Sequence, residues 1–161
     1  MTQDTPSTDT ETKNLAITDM ESVSDPDCVF CKIVAGKIPS TKLYEDKHVI
    51  AFLDIAPNNP GHTLVIPKDH FENIYTLPPE TWCYVTLAAQ KLAVAVRNGM
   101  DADGINIAMN NESTAGQEVS HAHVHVIPRF VGDGFAHGKH KEYKDQDEMN
   151  TIAENIKKAL N

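Results

Sequence analysis

The stretch SHAHVHVIP, residues 120–128, decides the fold that this sequence predicts. Histidine and apolar residues alternate in it with a period of two, which is typical of a β-strand with two different faces. In a strand over residues 119–128, the side chains of His121, His123 and His125 face one way and the apolar side chains face the core. Clustered imidazoles repel one another when protonated. A functional role therefore explains three histidines on one face better than a chance run does. Two kinds of site stay open: a three-imidazole metal site with a free coordination position, or a nucleophilic imidazole with orienting and proton-donating neighbours.

A polar loop, NNESTAGQE at residues 110–118, leads directly into this strand. Gly116 lets the backbone approach a ligand closely, and successive backbone N–H groups around it could hold a phosphate. Next to an imidazole nucleophile, such a loop indicates transfer chemistry at phosphorus.

The remaining segments predict an α+β fold, with an antiparallel sheet of about five strands, one long central helix and shorter helices. The long helix runs from Pro79 to about Asn98, with an apolar stripe at helical spacing. Cys83 is expected as a core thiol beside that stripe, and Gly99 at the C′ position. The other predicted elements are a short helix at 28–35, strands at 43–45, 49–54, 63–67 and 104–109, and a final amphipathic helix at 147–160.

The 161 residues carry a formal net charge of −9, and most of it lies at one end. Residues 1–27 hold seven acidic residues and one lysine, which predicts an acidic disordered tail before a domain at 28–137 and a C-terminal polar segment with a helix at 138–161. This acidity argues against nucleic acid and membrane as partners. Because the sequence shows no targeting signal, no transmembrane run and only three cysteines, we expect a cytoplasmic protein, also nuclear if its source is eukaryotic.

The pair Cys28-x₂-Cys31 begins the predicted domain and allows two interpretations. A redox pair would need a βαβ context, which the segment pattern lacks. Half of a zinc site fits better, and folding would then bring two histidines near as the missing ligands.

The run HAHVHVIPR, preceded by AGQEVS, resembles the signature of the histidine triad (HIT) family. The segment CVFCKIVAGKIPSTKLYEDKHVIAFLDIAPNNPGHTLVIPKDH, residues 28–70, also resembles the N-terminal half of that family, in the branch of small Hint-like and prokaryotic-type Hit proteins. The resemblance covers Cys28 to Arg129, with a weaker match through residues 132–135. It implies a HIT-like fold whose sheet extends across a homodimer.

The resemblance implies an enzyme, a hydrolase of nucleoside 5′-phosphoramidates of the adenosine 5′-monophosphoramidate type, with a purine nucleotide such as AMP or GMP in its site. His123 would attack the α-phosphorus and form a covalent nucleotidyl-histidine that water then cleaves. His125 would hydrogen-bond a non-bridging phosphate oxygen. Gly116 and the following backbone N–H groups, at Gln117 and Glu118, would complete the phosphate site.

The same resemblance assigns residues to the nucleoside. Asp54 corresponds to the carboxylate that binds both ribose hydroxyls, and Asn110 to a polar contact near the α-phosphate. Phe30, Phe52 and Ile55 correspond to apolar walls around the base, although core packing alone would also explain such residues.

The resemblance to the zinc-bearing members of this branch adds His70 and His121 as the partners of Cys28 and Cys31. A Cys₂His₂ set has no free coordination position, so the zinc would be structural. The remaining histidines receive no role and are expected at exposed or capping positions; they are His48, His62, His137 and His140.

Glu118 departs from the serine that many Hint-type proteins have there, whose hydroxyl assists at the phosphate and leaving group. A carboxylate would repel a phosphate unless it is protonated or turned toward the leaving amine. Three other functions therefore stay open: a dinucleoside polyphosphate hydrolase, a non-catalytic nucleotide-binding or scaffolding protein in which Glu118 marks lost activity, and a catalytic metal centre on the three histidines.

Overall fold

A five-stranded antiparallel sheet in the order β1-β2-β3-β5-β4 forms the centre of the fold. The computed structural model describes residues 23–134 and 140–160. These data confirm the predicted α+β architecture with one long helix. The elements are α1 (Val29–Val34), β1 (Lys42–Glu45), β2 (Val49–Leu53), β3 (Thr63–Pro67), α2 (Pro79–Gly99), β4 (Gly104–Ala108), a 3₁₀ turn (Ser113–Ala115), β5 (Val124–Arg129) and α3 (Gln146–Lys158).

The strands β2 and β3 are buried along their whole length, because both faces of the sheet are covered. Side chains at every second position of these strands, including Ala51 and Val65, belong to the larger core with α2 and α3. Those at the positions between, including Phe52 and Leu64, belong to a smaller core with α1. We call this second side the α1 face. His125 pairs across the sheet with Leu64, so its side chain also lies on the α1 face.

The long helix α2 buries the predicted stripe, including Val85, Leu92 and Val96. The prediction for Cys83 was wrong: its side chain is exposed. The outer side of the helix also exposes Leu87 and Val94, at 63% and 57% of their surface. The residues that the structure describes therefore leave a second apolar side of this helix uncovered.

The strand predicted over residues 119–128 is shorter in the structure, because β5 begins at Val124. The backbone turns before β5, where His121 N–H donates to the Val119 carbonyl. Ala122 N–H donates to the Phe71 carbonyl, which lies outside the strands of the sheet. His121 and His123 therefore precede the strand. The prediction that three histidines share one regular strand face was wrong.

The chain after β5 packs back against the turn that follows β2. Lys141 N–H donates a hydrogen bond to the Pro57 carbonyl at 2.6 Å, and Lys141 Nζ donates one to Asn59 Oδ1 at 2.6 Å. The helix α3 begins with Asp145, whose carboxylate accepts the Glu148 N–H at 2.8 Å. No helix among the described residues is long and apolar enough to cross a membrane.

The start of the described chain belongs to the fold. His70 N–H is donated to the Val23 carbonyl at 2.7 Å, so residues 23–27 of the predicted tail contact the domain. The remainder of that predicted tail, residues 1–22, and the end of the predicted domain at 135–137 lie outside the described residues.

Gly99 is required by close packing and not, as predicted, by a left-handed C′ position. It is the last residue of α2, and Met100 caps the helix with φ of −104°. A Cβ atom at Gly99 would lie 2.7 Å from the Cα atom of Ile156 and 2.8 Å from the carbonyl oxygen of Asn155, both backbone atoms of α3. The two helices therefore approach to a distance that only glycine permits.

We predict that Gly99→Ala lowers the free energy of unfolding by about 1–3 kcal/mol, because the backbone of α3 has to move away. Gly104→Ala is the matched control, since a Cβ there meets nothing within 4 Å. It should change stability by about 0.5 kcal/mol or less. Urea denaturation of both variants measures this, and equal stabilities would contradict the close-packing role of Gly99.

Candidate active site and metal cluster

His123 lies buried on the α1 face with its ring held in one tautomer. Its Nδ1 lies 2.7 Å from the carbonyl oxygen of His121, so Nδ1 carries the proton and donates it. The Nε2 atom then carries a lone pair. The ring packs edge-on against Phe30 and His125, with centroids 5.4 and 4.8 Å apart. Burial lowers the pKa of His123, which favours the neutral, nucleophilic imidazole.

His62 contacts His125 and is a site residue that the sequence analysis missed. The expectation that it is exposed or capping was wrong, since only 2% of its surface is accessible. Its Nε2 lies 3.0 Å from His125 Nδ1. The missed signal is its place in the sequence: it stands two residues before Leu64, so it shares the α1 face with the triad.

The other ring nitrogen of His62 lies between a donor and an acceptor. Asn58 N–H is donated to Nδ1 at 3.3 Å, and Asp54 Oδ2 lies 3.3 Å from the same atom. Burial lowers the pKa of His62 and of His125 to about 3, so both rings are neutral near pH 7. Although Asp54, His62 and His125 are close enough to hold a metal ion, the hydrogen bonds already use both ring nitrogens of His62.

Asp54 lies at the end of β2, beside this chain of imidazoles. Its Oδ1 accepts the Ala56 N–H at 2.9 Å. The residues predicted as base walls differ in exposure: Phe30 and Phe52 are buried edge to face, with centroids 5.6 Å apart, whereas Ile55 is 86% exposed. Phe30 and Phe52 therefore belong to the core of the α1 face, and only Ile55 is fully open to a ligand.

The loop at residues 110–118 contains the predicted phosphate-binding residues. Glu112 has φ of +71° and Gly116 has φ of +87°, so the backbone reverses twice around the 3₁₀ turn. Asn110 Nδ2 is donated to the Gly116 carbonyl at 3.3 Å. Glu118 is exposed, and its carboxylate is near enough to His123 to raise the pKa of that ring, opposing the effect of burial.

The four residues predicted as metal ligands come together in one cluster. The ligand atoms of Cys28, Cys31, His70 and His121 all lie within 4.8 Å of one another. Cys28 Sγ is 3.5 Å from His121 Nδ1, and Cys31 Sγ is 3.3 Å from His70 Nδ1 and 3.7 Å from His121 Nδ1. Tetrahedral zinc with its usual bond lengths separates sulfur and nitrogen ligands by about 3.6 Å. The donor set therefore fits zinc.

The surroundings of the cluster orient its ligands. His121 Nε2 lies 3.0 Å from the Pro67 carbonyl, so Nε2 carries the proton and Nδ1 is free to bind a metal. Asp25 N–H is donated to Cys31 Sγ at 3.4 Å, and Cys31 N–H to Cys28 Sγ at 3.5 Å. Both contacts donate to sulfur, although burial raises the pKa of the Cys28 thiol. Among the described residues, no group close enough to hold a metal ion contains all three histidines of the triad, and His121 lies in the cluster with the two cysteines instead.

Comparison with known proteins agrees with this arrangement. The chain is 48% identical over 139 residues to protein hit of Bacillus subtilis, an alignment that covers 83% of this chain and 94% of that protein. The crystal structure of a zinc-bound histidine triad family protein from Mycobacterium smegmatis is similar, with a TM-score of 0.76, 40% identity and coverage of 83% and 93%.

A hypothetical histidine triad nucleotide-binding protein from Sulfolobus tokodaii has a TM-score of 0.76 at 31% identity, with coverage of 83% of this chain and 91% of that one. The family model of the HIT domain matches residues 35–132, which include the imidazole chain, the loop at 110–118 and the triad. The chain therefore belongs to the HIT family.

Proposed function

We propose that this chain hydrolyses nucleoside 5′-phosphoramidates, of the adenosine 5′-monophosphoramidate type, through a covalent nucleotidyl-His123 intermediate. The observation that carries the proposal is the 2.7 Å hydrogen bond from His123 Nδ1 to the His121 carbonyl. It leaves the lone pair of a neutral imidazole on Nε2, as attack on phosphorus requires.

The reaction would take place in two displacements at the α-phosphorus. In the first, the nitrogen of the leaving amine takes up a proton from solvent, His123 Nε2 forms a bond to phosphorus, and the P–N bond of the substrate breaks to release the amine; the attacking water returns a proton to solvent in the second. The ring then carries a positive charge, which the His121 carbonyl and the nearby carboxylates of Asp54 and Glu118 stabilise. In the second, water attacks phosphorus, the bond to Nε2 breaks and the nucleoside monophosphate leaves. Glu118, exposed at the end of the loop, is suited to exchange protons with the leaving amine and the attacking water.

His62 would set the role of His125. When Asn58 N–H is donated to His62 Nδ1, the proton of His62 is on Nε2 and is donated to His125 Nδ1. His125 then carries its own proton on Nε2. That atom is buried and has no hydrogen-bond partner among the described residues. A non-bridging phosphate oxygen supplies the missing acceptor, which makes His125 Nε2–H a donor to the developing charge.

The substrate would lie with its ribose hydroxyls on Asp54 and its purine base, as in AMP or GMP, against Ile55 and the edges of Phe30 and Phe52. Binding of ribose occupies the Asp54 carboxylate, so that His62 Nδ1 keeps Asn58 N–H as its partner. The phosphate would lie at the end of the loop against the Glu118 N–H, because the N–H groups of Gly116 and Gln117 are donated to the Ser113 and Glu112 carbonyls inside the loop. Asn110 fixes the Gly116 carbonyl behind it. A cytoplasmic location is part of the proposal, since Cys28, Cys31 and Cys83 are all free.

The proposal includes a homodimer whose sheet continues across the two subunits. In one subunit, β4 is an edge strand that pairs with β5 alone. Its Ile107 is 56% exposed, and the outer side of α2 beside it exposes Leu87 and Val94, one heptad apart. An open edge next to an uncovered apolar helix face supports self-association.

The cluster of Cys28, Cys31, His70 and His121 would hold structural zinc. When bound there, zinc supplies a rigid tetrahedral link and no reaction chemistry, because the four ligands fill its coordination shell. The carbonyl of His121 orients His123, so the cluster fixes the nucleophile through one residue.

We predict that His123→Ala lowers turnover of adenosine 5′-monophosphoramidate by at least about 10³-fold, because the nucleophile is lost. His48→Ala, which removes a ring stacked on Tyr84 away from the site, is the control. Steady-state release of AMP is measured, with denaturing mass spectrometry of the quenched wild-type protein to detect the nucleotidyl adduct. Unchanged turnover in His123→Ala would refute the covalent mechanism.

We predict that Cys31→Ser protein purifies with little zinc and loses several kcal/mol of stability, because metal binding is coupled to folding. Cys83→Ser, a thiol outside the cluster, should keep a full complement of zinc. Elemental analysis and urea denaturation of both variants measure these quantities. Equal zinc content in the two variants would show that the metal does not bind at this cluster.

We predict that the free energy of unfolding falls as the pH drops from about 6.5 toward 3. The pKa of His62 and of His125 is about 3 in the fold and 6.5 in the unfolded chain, so over this window protons bind mainly to the unfolded state. Each histidine contributes about 1.4 kcal/mol per pH unit. Urea denaturation between pH 7 and pH 5 should show a shallower slope for His62→Gln than for the control His48→Gln. Equal slopes would show that His62 titrates normally.

A further inference from the structure

The side chain of Gln117 is fully engaged with backbone groups, both within its own loop and at Glu72 outside it. Its Oε1 accepts a hydrogen bond from Glu112 N–H at 2.8 Å. Its Nε2 donates to the Glu72 carbonyl at 2.6 Å and to the Val119 carbonyl at 2.9 Å. These three contacts use both polar atoms of the amide. A phosphate could displace them only by leaving backbone groups without their partners.

These contacts hold a backbone that would not stay in place by itself. Glu112 has φ of +71° and ψ of +154°, a conformation that costs on the order of 1–3 kcal/mol for a residue with a side chain. The Glu112 carbonyl accepts N–H groups from Ala115 and from Gln117, so the loop closes on itself at this residue. The side chain of Gln117 adds the bond to Glu112 N–H from the other side.

The Glu72 carbonyl connects the loop to the triad. Next to it, the Phe71 carbonyl accepts the Ala122 N–H at 2.6 Å, in the peptide between His121 and His123. On its other side, Ile74 N–H is donated to Asn111 Oδ1 at 2.8 Å. Residues 71–74 therefore contact both the nucleophile's segment and the loop, and Gln117 fixes the distance between these two parts of the site.

We propose that Gln117 is a positioning residue: its side chain fastens the phosphate loop to residues 71–74 and holds the Glu118 end of the loop, with its backbone N–H group, near His123. It does not contact the nucleotide. This inference rests on the proposed function, because it assigns the loop to the phosphate of a nucleotide.

The test compares Gln117→Met, which keeps the length and loses the hydrogen bonds, with Glu72→Ala, which keeps the carbonyl that accepts from Gln117. In nucleotide-free protein, amide hydrogen exchange followed by NMR should speed up at Glu112 by about tenfold in Gln117→Met and stay unchanged in Glu72→Ala. By calorimetry, the affinity of Gln117→Met for AMP should fall by about tenfold, while its affinity for adenosine stays unchanged. Turnover should fall mainly in kcat.

Asn111→Ala provides a second variant in case Gln117→Met fails to fold. It removes the Ile74 contact and loosens the same loop, so it should also weaken binding of AMP and not of adenosine. Normal exchange at Glu112 in Gln117→Met together with weakened AMP binding would overturn the proposal, because Gln117 would then contact the nucleotide directly. Equal losses for AMP and adenosine would overturn it as well. If the wild-type protein binds no AMP, the proposed function fails, and the exchange rate of Glu112 still decides whether Gln117 fastens the loop.

Discussion

The site depends on the 2.7 Å hydrogen bond between His123 Nδ1 and the carbonyl oxygen of His121. His121 contributes its ring to the Cys28, Cys31 and His70 cluster and its backbone carbonyl to His123, so one residue belongs to both parts of the site. The backbone turn before β5 makes this double role possible, since a regular strand would have kept the His121 carbonyl in the sheet. In the proposed mechanism, the carbonyl would remain in place as the neighbouring ring becomes cationic. The contact between these two parts of the site is therefore a backbone carbonyl, which a side-chain substitution does not remove.

Burial decides the electrostatics of the site. His62 and His125 stay neutral because burial lowers the pKa of both rings, and their ring nitrogens form a hydrogen-bonded chain that begins beside Asp54. A neutral chain can present a donor to a phosphate without a permanent cation. The net charge of −9 is consistent with this arrangement, because a site built from oriented N–H groups does not need a basic surface.

The sequence predicted the sheet and the long helix well, because each leaves a local signal, alternation or an apolar stripe. The spacing of Cys28 and Cys31 indicated only half of the cluster, and the family resemblance supplied His70 and His121. It failed where the signal depends on contacts distant in sequence. The turn before β5 arises from a backbone bond to Phe71, which no periodicity records. His62 stands alone in its segment and gains meaning only when β3 pairs with β5. Gly99 looked like a helix terminator, although its small size is required by the backbone of α3.

The metal cluster also has a consequence for how the chain folds. Cys28 and His121 lie 93 residues apart in sequence, and the cluster joins them within one shell of four side chains. Closing such a long loop costs chain entropy that grows only slowly with its length, so a metal ion there restricts the unfolded chain as a long-range cross-link does. An ion held there would connect the first helix to the segment that leads into the last strand. Without the ion, the chain would have to pair β3 with β5, the two paired strands farthest apart in sequence, before any link holds α1 near them.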